Sequence, residues 1–175
     1  KQATRTELFS FIETELKAIE AELPNAKGNE YGRADKAAAQ SLLARLYLNA
    51  SVYTGTARNA DAIIYSKKVI DAGYSLIPQY SSLMRADNNV NTAEFILTIN
   101  YDGLKTQNWG GTTFLTHAPV GGDMNALSYG VDGGWFGLRT TKNIPALFPD
   151  VNGTADKRSQ FFTQGQNLEI NDLTN

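Results

Sequence analysis

"ADKAAAQSLLARLYLNASVYTG", residues 34–55, decides the fold predicted for this chain. The stretch is rich in strong helix formers, with Asp35 able to cap its start and Gly55 placed to end it. Its alanines would let a neighbouring helix approach closely. Apolar residues at helical spacing predict one buried stripe, made of Ala38, Leu42, Leu46, Tyr47 and Ala50.

Two further helices are predicted around this one. Thr4 and Glu7 have the Thr-x-x-Glu spacing of a capping box, and Pro24 ends the helix that they begin. Its predicted buried face comprises Leu8, Phe11, Ile12, Leu16, Ile19 and Leu23. The third helix runs from about Asn59 to Ala72 and stops at Gly73. Its predicted buried positions are Ala62, Tyr65, Val69 and Ile70.

The last two predicted helices form a hairpin over residues 35–73. Its length is close to the period of a tetratricopeptide repeat, which is about 34 residues. Ordinary helical hairpins are also common, so the spacing by itself leaves both interpretations open.

Composition excludes several classes of function. The formal charge of −2 gives no basic stripe of the kind that binds nucleic acid. The chain has no cysteine, which rules out disulfides, thiolate metal sites and a cysteine nucleophile. The apolar runs are too short to cross a bilayer. No phosphate-binding loop is present, because the glycines lack the Lys-Ser/Thr that would follow them.

The second half of the chain is rich in glycine, with nine of the fifteen glycines between Gly103 and Gly137. Two short strands are predicted there. "EFILTINYD" (94–102) alternates apolar and polar residues, and "TTFLTHA" (112–118) is a shorter candidate. The predicted organisation is a helical scaffold over residues 1–85 and a loop and strand region over residues 86–175, both belonging to one incomplete domain.

Several segments, taken in order, resemble the SusD/RagB family of outer-membrane nutrient-binding lipoproteins. They are "YGRADKAAAQSLLARLYLNASVYTG" (31–55), "ADAIIYSKKVIDAGYSLIPQYSSLM" (60–84), "NTAEFILTINYDG" (91–103), "NWGGTTFL" (108–115), "GGWFGLRTTKNIPALF" (133–148) and "DKRSQFFTQGQNLEI" (156–170). The specificity lies in the ordered combination, which covers nearly the whole chain.

The resemblance implies a mainly α fold, in which tetratricopeptide-like hairpins support an irregular region with short strands. It also implies a non-enzymatic glycan-binding lipoprotein on the surface of the outer membrane, which passes oligosaccharide to a SusC-like TonB-dependent transporter. Two segments are similar to starch-binding members, so a starch-type α-glucan is the expected ligand. Family members are several hundred residues long and carry a lipidated cysteine; we therefore expect this chain to be a central segment, with its lipid anchor elsewhere.

Aromatic rings in the glycine-rich half are the candidate binding residues. Such rings can stack on the C–H face of a sugar while amide and guanidinium groups bind its hydroxyls. The candidate stacking residues are Trp135, Tyr129, Trp109 and Tyr101, and the candidate hydroxyl-binding residues are Asn125 and Arg139. A tryptophan is more often a packing residue. For Trp135 the glycine neighbours and the family resemblance favour a binding platform over a core anchor.

Other features have simpler interpretations. The single histidine, His117, is expected to be structural, because no second ligand supports a transition-metal site. "DVNGTADKR" (150–158) lacks the acidic spacing of an EF-hand and is expected to be a solvated turn. No cofactor is therefore expected, with a structural calcium ion in this loop as the alternative.

Two other functions stay open at this stage. A helical protein-interaction scaffold would need no sugar site. A glycoside hydrolase would need two paired carboxylates, and the spacing of the candidates in this half pairs none of them: Asp102, Asp123, Asp132 and Asp150. No Gly-x-Ser-x-Gly nucleophile motif is present either.

Overall fold

A computed structural model describes residues 2–102, 104–106, 108–159 and 161. The described residues are mainly helical, as predicted. Five α-helices follow one another along the chain: α1 (Arg5–Glu22), α2 (Lys36–Leu48), α3 (Ala50–Thr54), α4 (Asn59–Asp71) and α5 (Gly111–His117). Four 3-10 turns occupy Tyr80–Met84, Asn88–Val90, Ala126–Tyr129 and Pro145–Leu147.

The described residues fall into two compact units. The helical unit comprises those within Lys1–Pro78 and Arg85–Ile99, and the glycine-rich unit comprises those within Gln79–Met84 and Asn100–Asn175. The domain boundary that the sequence predicts after residue 85 stays a prediction.

The ends of the helices in the helical unit follow local sequence signals. The Thr4 hydroxyl accepts from the Glu7 backbone N–H, and the Glu7 carboxylate accepts from that of Thr4, which completes the predicted capping box. Asp35 caps α2 by accepting from the backbone N–H groups of Ala37 and Ala38. Gly55 ends α3 in the left-handed conformation at φ 78°, which glycine adopts without strain.

The hairpin is confirmed as the centre of the helical unit, where α2 packs against both α4 and α1. Its core is a cluster of buried residues: Phe9, Leu43, Tyr47, Ala50 and Ala62. The predicted stripe on α2 is confirmed at Ala38, Tyr47 and Ala50, which are buried, and at Leu46, which packs against the core. It was wrong at one position, because Leu43 is buried while Leu42 is exposed. On α1 the buried aromatic residue is Phe9, whereas Leu8, Phe11 and Ile19 are exposed. Ile70 of α4 is also exposed.

A network of charged and polar side chains surrounds the Glu13 carboxylate beside this core. The Tyr47 hydroxyl donates to Glu13 at 2.7 Å, and Lys17 and Arg58 bind the same carboxylate oxygen at 2.7 and 3.3 Å. Burial opposes ionisation of Glu13, but hydrogen bonds from Lys17, Tyr47 and Arg58 outweigh it and lower its pKa to about 2. Burial and the neighbouring Glu13 raise the pKa of Tyr47 to about 12.

The two predicted strands were wrong. Residues 112–118 lie mostly in α5, where the Thr116 hydroxyl donates to the Thr112 carbonyl one turn earlier and so suits a helix. Residues 94–102 form no strand, although their apolar alternation is real. A strand needs a partner, and among the described residues the nearest backbone bond joins Ser75 N–H to the carbonyl of Ala93, one residue before this segment, at 3.0 Å.

Candidate functional site: an aromatic cluster

Four rings meet in the glycine-rich unit and form what we term the aromatic cluster: Trp109, Phe114, His117 and Trp135. The centroid of the Trp135 ring lies 6.0 Å from that of Trp109, 6.4 Å from Phe114 and 5.1 Å from His117. All three contacts are tilted, a geometry that aromatic pairs favour over face-to-face stacking. The cluster therefore unites two predicted site residues with two that were not predicted.

The two tryptophans remain accessible to solvent within the cluster. The Trp109 residue is 83% exposed and Trp135 is 38% exposed. A large apolar side chain normally gains about 1.5–3 kcal/mol from full burial, and neither ring obtains that in full. Supported and yet exposed rings of this kind can stack against a ligand.

Backbone hydrogen bonds hold Trp135 in place. Its N–H donates to the carbonyl of His117 at 2.9 Å, and the next N–H, of Phe136, donates to Val120 at 3.0 Å. The N–H groups of Gly137 and Leu138 both donate to the carbonyl of Ala118. Segment 135–138 is thus fastened to segment 117–120, whose residues Ala118 and Val120 are buried.

Glycine allows these two segments to approach. A methyl group added at Gly134 would overlap the carbonyl oxygen of Val120, and one added at Gly121 would overlap the ring of Phe136. A methyl group at the adjacent Gly133 would meet nothing within 4 Å. Gly134 and Gly121 are therefore required by close packing, whereas Gly133 is not.

Tyr101 lies beside the first residue of α5. The Tyr101 hydroxyl covers the position that a methyl group on Gly111 would occupy, and Gly111 has a φ of 56°. Tyr101 is 37% exposed. The structure therefore places this predicted residue next to the helix that carries Phe114 and His117.

The other three predicted site residues have different surroundings. The Asn125 side-chain oxygen accepts from the Leu127 N–H and caps the 3-10 turn Ala126–Tyr129, at whose end the half-exposed Tyr129 lies. The Arg139 guanidinium lies 4.2 Å from the centroid of the Phe136 ring. Among the described residues, no contact is recorded between these three side chains and either tryptophan, and their role in binding stays a prediction.

His117 and Asp132 add polar groups beside Trp135. His117 Nε2 lies 3.5 Å from Asp132 Oδ1, and its Nδ1 lies 2.9 Å from the carbonyl oxygen of Thr113. The Asp132 side chain is 97% exposed, whereas that of His117 is 23% exposed. The sequence signal was the spacing of Phe114 and His117, which face one way only if residues 111–117 are helical.

Two carboxylates of this unit cap turns. Asp102 accepts from the N–H groups of Leu104, Lys105 and Thr106, and these bonds lower its pKa. The two carboxylate oxygens of Asp150 accept from three backbone N–H groups of residues 152–155, and its pKa is also lowered. A general acid needs the opposite shift, so neither group suits acid catalysis.

The described residues include neither a cluster of metal-binding side chains nor a helix able to span a membrane. Within residues 2–102, 104–106, 108–159 and 161, no three potential ligands from His, Asp or Glu come together as a metal site would require. In the same part of the chain, no helix has both the length and the apolar character needed to span a bilayer.

The chain is similar to one curated protein in particular. It is 50% identical over 113 residues to the starch-binding protein SusD of Bacteroides thetaiotaomicron, a match that covers 63% of this chain and 20% of that protein. No protein-family model matches the chain. The chain is therefore SusD-like over the matched stretch, as its motifs predicted, and spans about a fifth of the relative's length.

Proposed function

We propose that this SusD-like chain is the glycan-contacting part of a starch-binding protein, and that Trp109 and Trp135 form its binding platform. The observation that carries the proposal is the pair of exposed indole rings, whose centroids lie 6.0 Å apart, with the backbone of Trp135 bound to segment 117–120. A sugar ring offers a flat face of C–H groups, which can cover exposed aromatic carbon without leaving the hydroxyls unsolvated.

Pre-formed geometry supports this assignment. The backbone bonds of segment 135–138 fix Trp135 before any ligand arrives. A ligand then loses less affinity to the ordering of protein groups than it would on a mobile loop. The tilt of 43° between the two indole planes suits a curved ligand that contacts both rings, and α-linked glucan chains are curved.

The identity of the glycan rests on the relative. A protein whose name states that it binds starch shares half of its residues with this chain over the matched stretch. We therefore propose a starch-type α-glucan as the ligand and binding without catalysis as the activity. The accompanying cell-surface role, with a lipid anchor and delivery to a SusC-like TonB-dependent transporter, follows from the family resemblance alone.

Affinity electrophoresis tests the proposal. In native gels containing amylopectin, the chain is expected to migrate more slowly than in gels without polysaccharide. Trp109→Ala is expected to remove most of this retardation, because it deletes one of the two rings that form the proposed platform. The ring is largely exposed, so the far-ultraviolet circular dichroism of the variant should match that of the wild type.

Leu147→Ala provides the control, since Leu147 belongs to the same unit and is 77% exposed. It should leave the retardation unchanged. A wild-type chain that migrates equally in both gels would refute the glycan-binding proposal.

An interaction scaffold is the second candidate, and one observation favours it. The helical unit carries an apolar groove of about 470 Å³, whose lining includes the exposed residues Leu48, Ile63 and Ile70. On this alternative, Ile63→Ser would weaken co-purification with a SusC-like transporter while leaving amylopectin retardation intact. Retention of the transporter by the variant would count against it.

A further inference from the structure

His117 and Asp132 provide two hydrogen-bond acceptors near the Trp135 ring. His117 stacks on this ring with 5.1 Å between centroids, and its Nε2 lies 3.5 Å from Oδ1 of Asp132. Asp132 lies three positions before Trp135, on the segment that carries the ring. His117 Nε2 therefore lies beside the proposed stacking surface, and the exposed Asp132 carboxylate lies within reach of it.

The neighbours of His117 determine which ring nitrogen carries the proton in the neutral form. Nδ1 lies 2.9 Å from the Thr113 carbonyl oxygen, which can only accept a hydrogen bond. Nδ1 also lies 3.0 Å from the Thr116 hydroxyl, which can accept from Nδ1 because its own hydrogen goes to a backbone carbonyl of α5. The neutral ring therefore bears its hydrogen on Nδ1 and presents a lone pair at Nε2. Nε2 and the Asp132 carboxylate then face each other as two acceptors with no hydrogen between them.

Two adjacent acceptors are complementary to a ligand with two adjacent donors. Neighbouring hydroxyl groups on a pyranose ring are such a pair, and each can donate one hydrogen bond. The bond to the carboxylate is the stronger one, because the acceptor carries a charge. The water around the 97% exposed Asp132 side chain would be displaced by hydroxyls that satisfy the same oxygens.

We propose that His117 Nε2 and Asp132 Oδ1 bind two neighbouring hydroxyls of the sugar unit that stacks on Trp135. The inference rests on the proposed glycan-binding function and adds the polar groups that select the orientation of the sugar. It also gives the single histidine a role in binding, in place of the purely structural one that the sequence predicted.

Isothermal titration calorimetry with maltoheptaose tests the pair. Asp132→Ala is expected to raise the Kd about tenfold, as loss of a hydrogen bond to a charged group does. Asp132→Asn should recover part of that loss, since its amide oxygen still accepts. His117→Phe keeps a ring against Trp135 while removing Nε2, and should raise the Kd about threefold.

Asp123→Ala is the matched control, since Asp123 is an exposed carboxylate of the same unit. It should bind like the wild type, and all variants should keep the wild-type unfolding midpoint. An ion pair with a purely structural role would instead lower the midpoint and leave the Kd unchanged.

The outcomes separate the two proposals. If the wild type binds maltoheptaose and Trp109→Ala does not, but Asp132→Ala binds as the wild type does, then the acceptor pair is refuted and the platform stands. If the wild type itself fails to bind, both proposals fall.

Discussion

Tyr47 in the helical unit and Trp135 in the glycine-rich unit are both large aromatic residues, but they are fixed in different ways. Tyr47 is fully buried, contacts the rings of Phe9 and Tyr65, and donates to Glu13. Trp135 is 38% exposed, and its own backbone N–H is bound to His117. Side-chain packing fixes the first ring, whereas backbone contacts between close segments fix the second.

The difference explains why one ring keeps an exposed surface and the other does not. A ring that stabilises the fold through its buried surface cannot leave that surface for a ligand. Main-chain hydrogen bonds position Trp135, and Gly134 and Gly121 allow the two bonded segments to approach each other because they carry no side chain. Part of the Trp135 surface can therefore stay exposed.

Tyr47→Ala should destabilise the helical unit by about 4 kcal/mol, the usual cost of truncating a buried aromatic residue. It also removes a hydrogen bond from Glu13 while Lys17 and Arg58 remain. Urea denaturation followed by circular dichroism at 222 nm measures the change. Tyr53→Ala, at a residue that is 41% exposed, is the control and should cost far less; equal losses would show that Tyr47 is not the core residue described above.

Gly134→Ala should destabilise the glycine-rich unit by about 3 kcal/mol, because the new methyl group meets a backbone oxygen that cannot move aside. The near-ultraviolet circular dichroism of the tryptophans should change, while the signal at 222 nm should change little.

Gly133→Ala is the adjacent control and meets nothing within 4 Å. It should leave both signals as they are in the wild type. If the two variants behave alike, backbone approach is not what positions Trp135.

Glu13→Gln should destabilise the helical unit by about 2 kcal/mol at neutral pH, because its carboxylate is stabilised by three partners in the folded state. The folded pKa of about 2 lies below the ordinary value of 4.5. The stabilisation is therefore complete above about pH 4.5 and is lost as the pH falls through 2. The expected loss of about 2 kcal/mol is smaller than the full pKa shift of Glu13 would give, because the Lys17 side chain is 48% exposed and solvent screens its interaction with Glu13.

The free energy of unfolding of the wild type, measured between pH 2 and 6, should thus rise more steeply than that of Glu13→Gln. Parallel curves would mean that Glu13 is not the group responsible.

Thr4→Ala should have the smallest effect, about 1 kcal/mol, because it removes one N-cap of α1 without changing the core. Thermal unfolding monitored at 222 nm measures it. Thr14→Ala lies in the middle of the same helix, where its hydroxyl donates to the Ser10 carbonyl, and it should be nearly neutral. A greater loss from Thr14→Ala than from Thr4→Ala would contradict the capping role.

Features that depend on nearby residues could be predicted from the sequence, whereas features that depend on distant contacts could not. The starts of α1 and α2 depend on neighbours within a few residues, and Thr4, Glu7 and Asp35 identified them correctly. The single helix predicted up to Gly55 was wrong, because α2 ends at Leu48 and α3 follows it. The buried faces depend on which other helices pack there, so periodicity favoured Leu42 where the structure buries Leu43. Helix α5 was mistaken for a strand because threonine is common in strands and no local signal revealed its helical hydrogen bonds.

The aromatic cluster was predictable only in part for the same reason. Their glycine-rich surroundings drew attention to Trp109 and Trp135, and the family resemblance favoured Trp135 as a binding platform. Their meeting depends on the backbone contacts between segments 117–120 and 135–138, which no short motif encodes. Phe114 and His117 face the cluster together because residues 111–117 are helical, which the sequence analysis did not predict.

Tryptophan fluorescence offers the most direct test of the central claim, because the chain has two tryptophans and both belong to the aromatic cluster. Titration of the chain with maltoheptaose should shift the emission along a saturable curve, and Trp109→Phe should reduce both the amplitude and the affinity. Cellohexaose, a β-linked glucan of similar chemistry, provides the comparison ligand and should give a weaker response. An emission spectrum that maltoheptaose leaves unchanged at millimolar concentration would contradict the claim that these two rings form a glycan-binding platform.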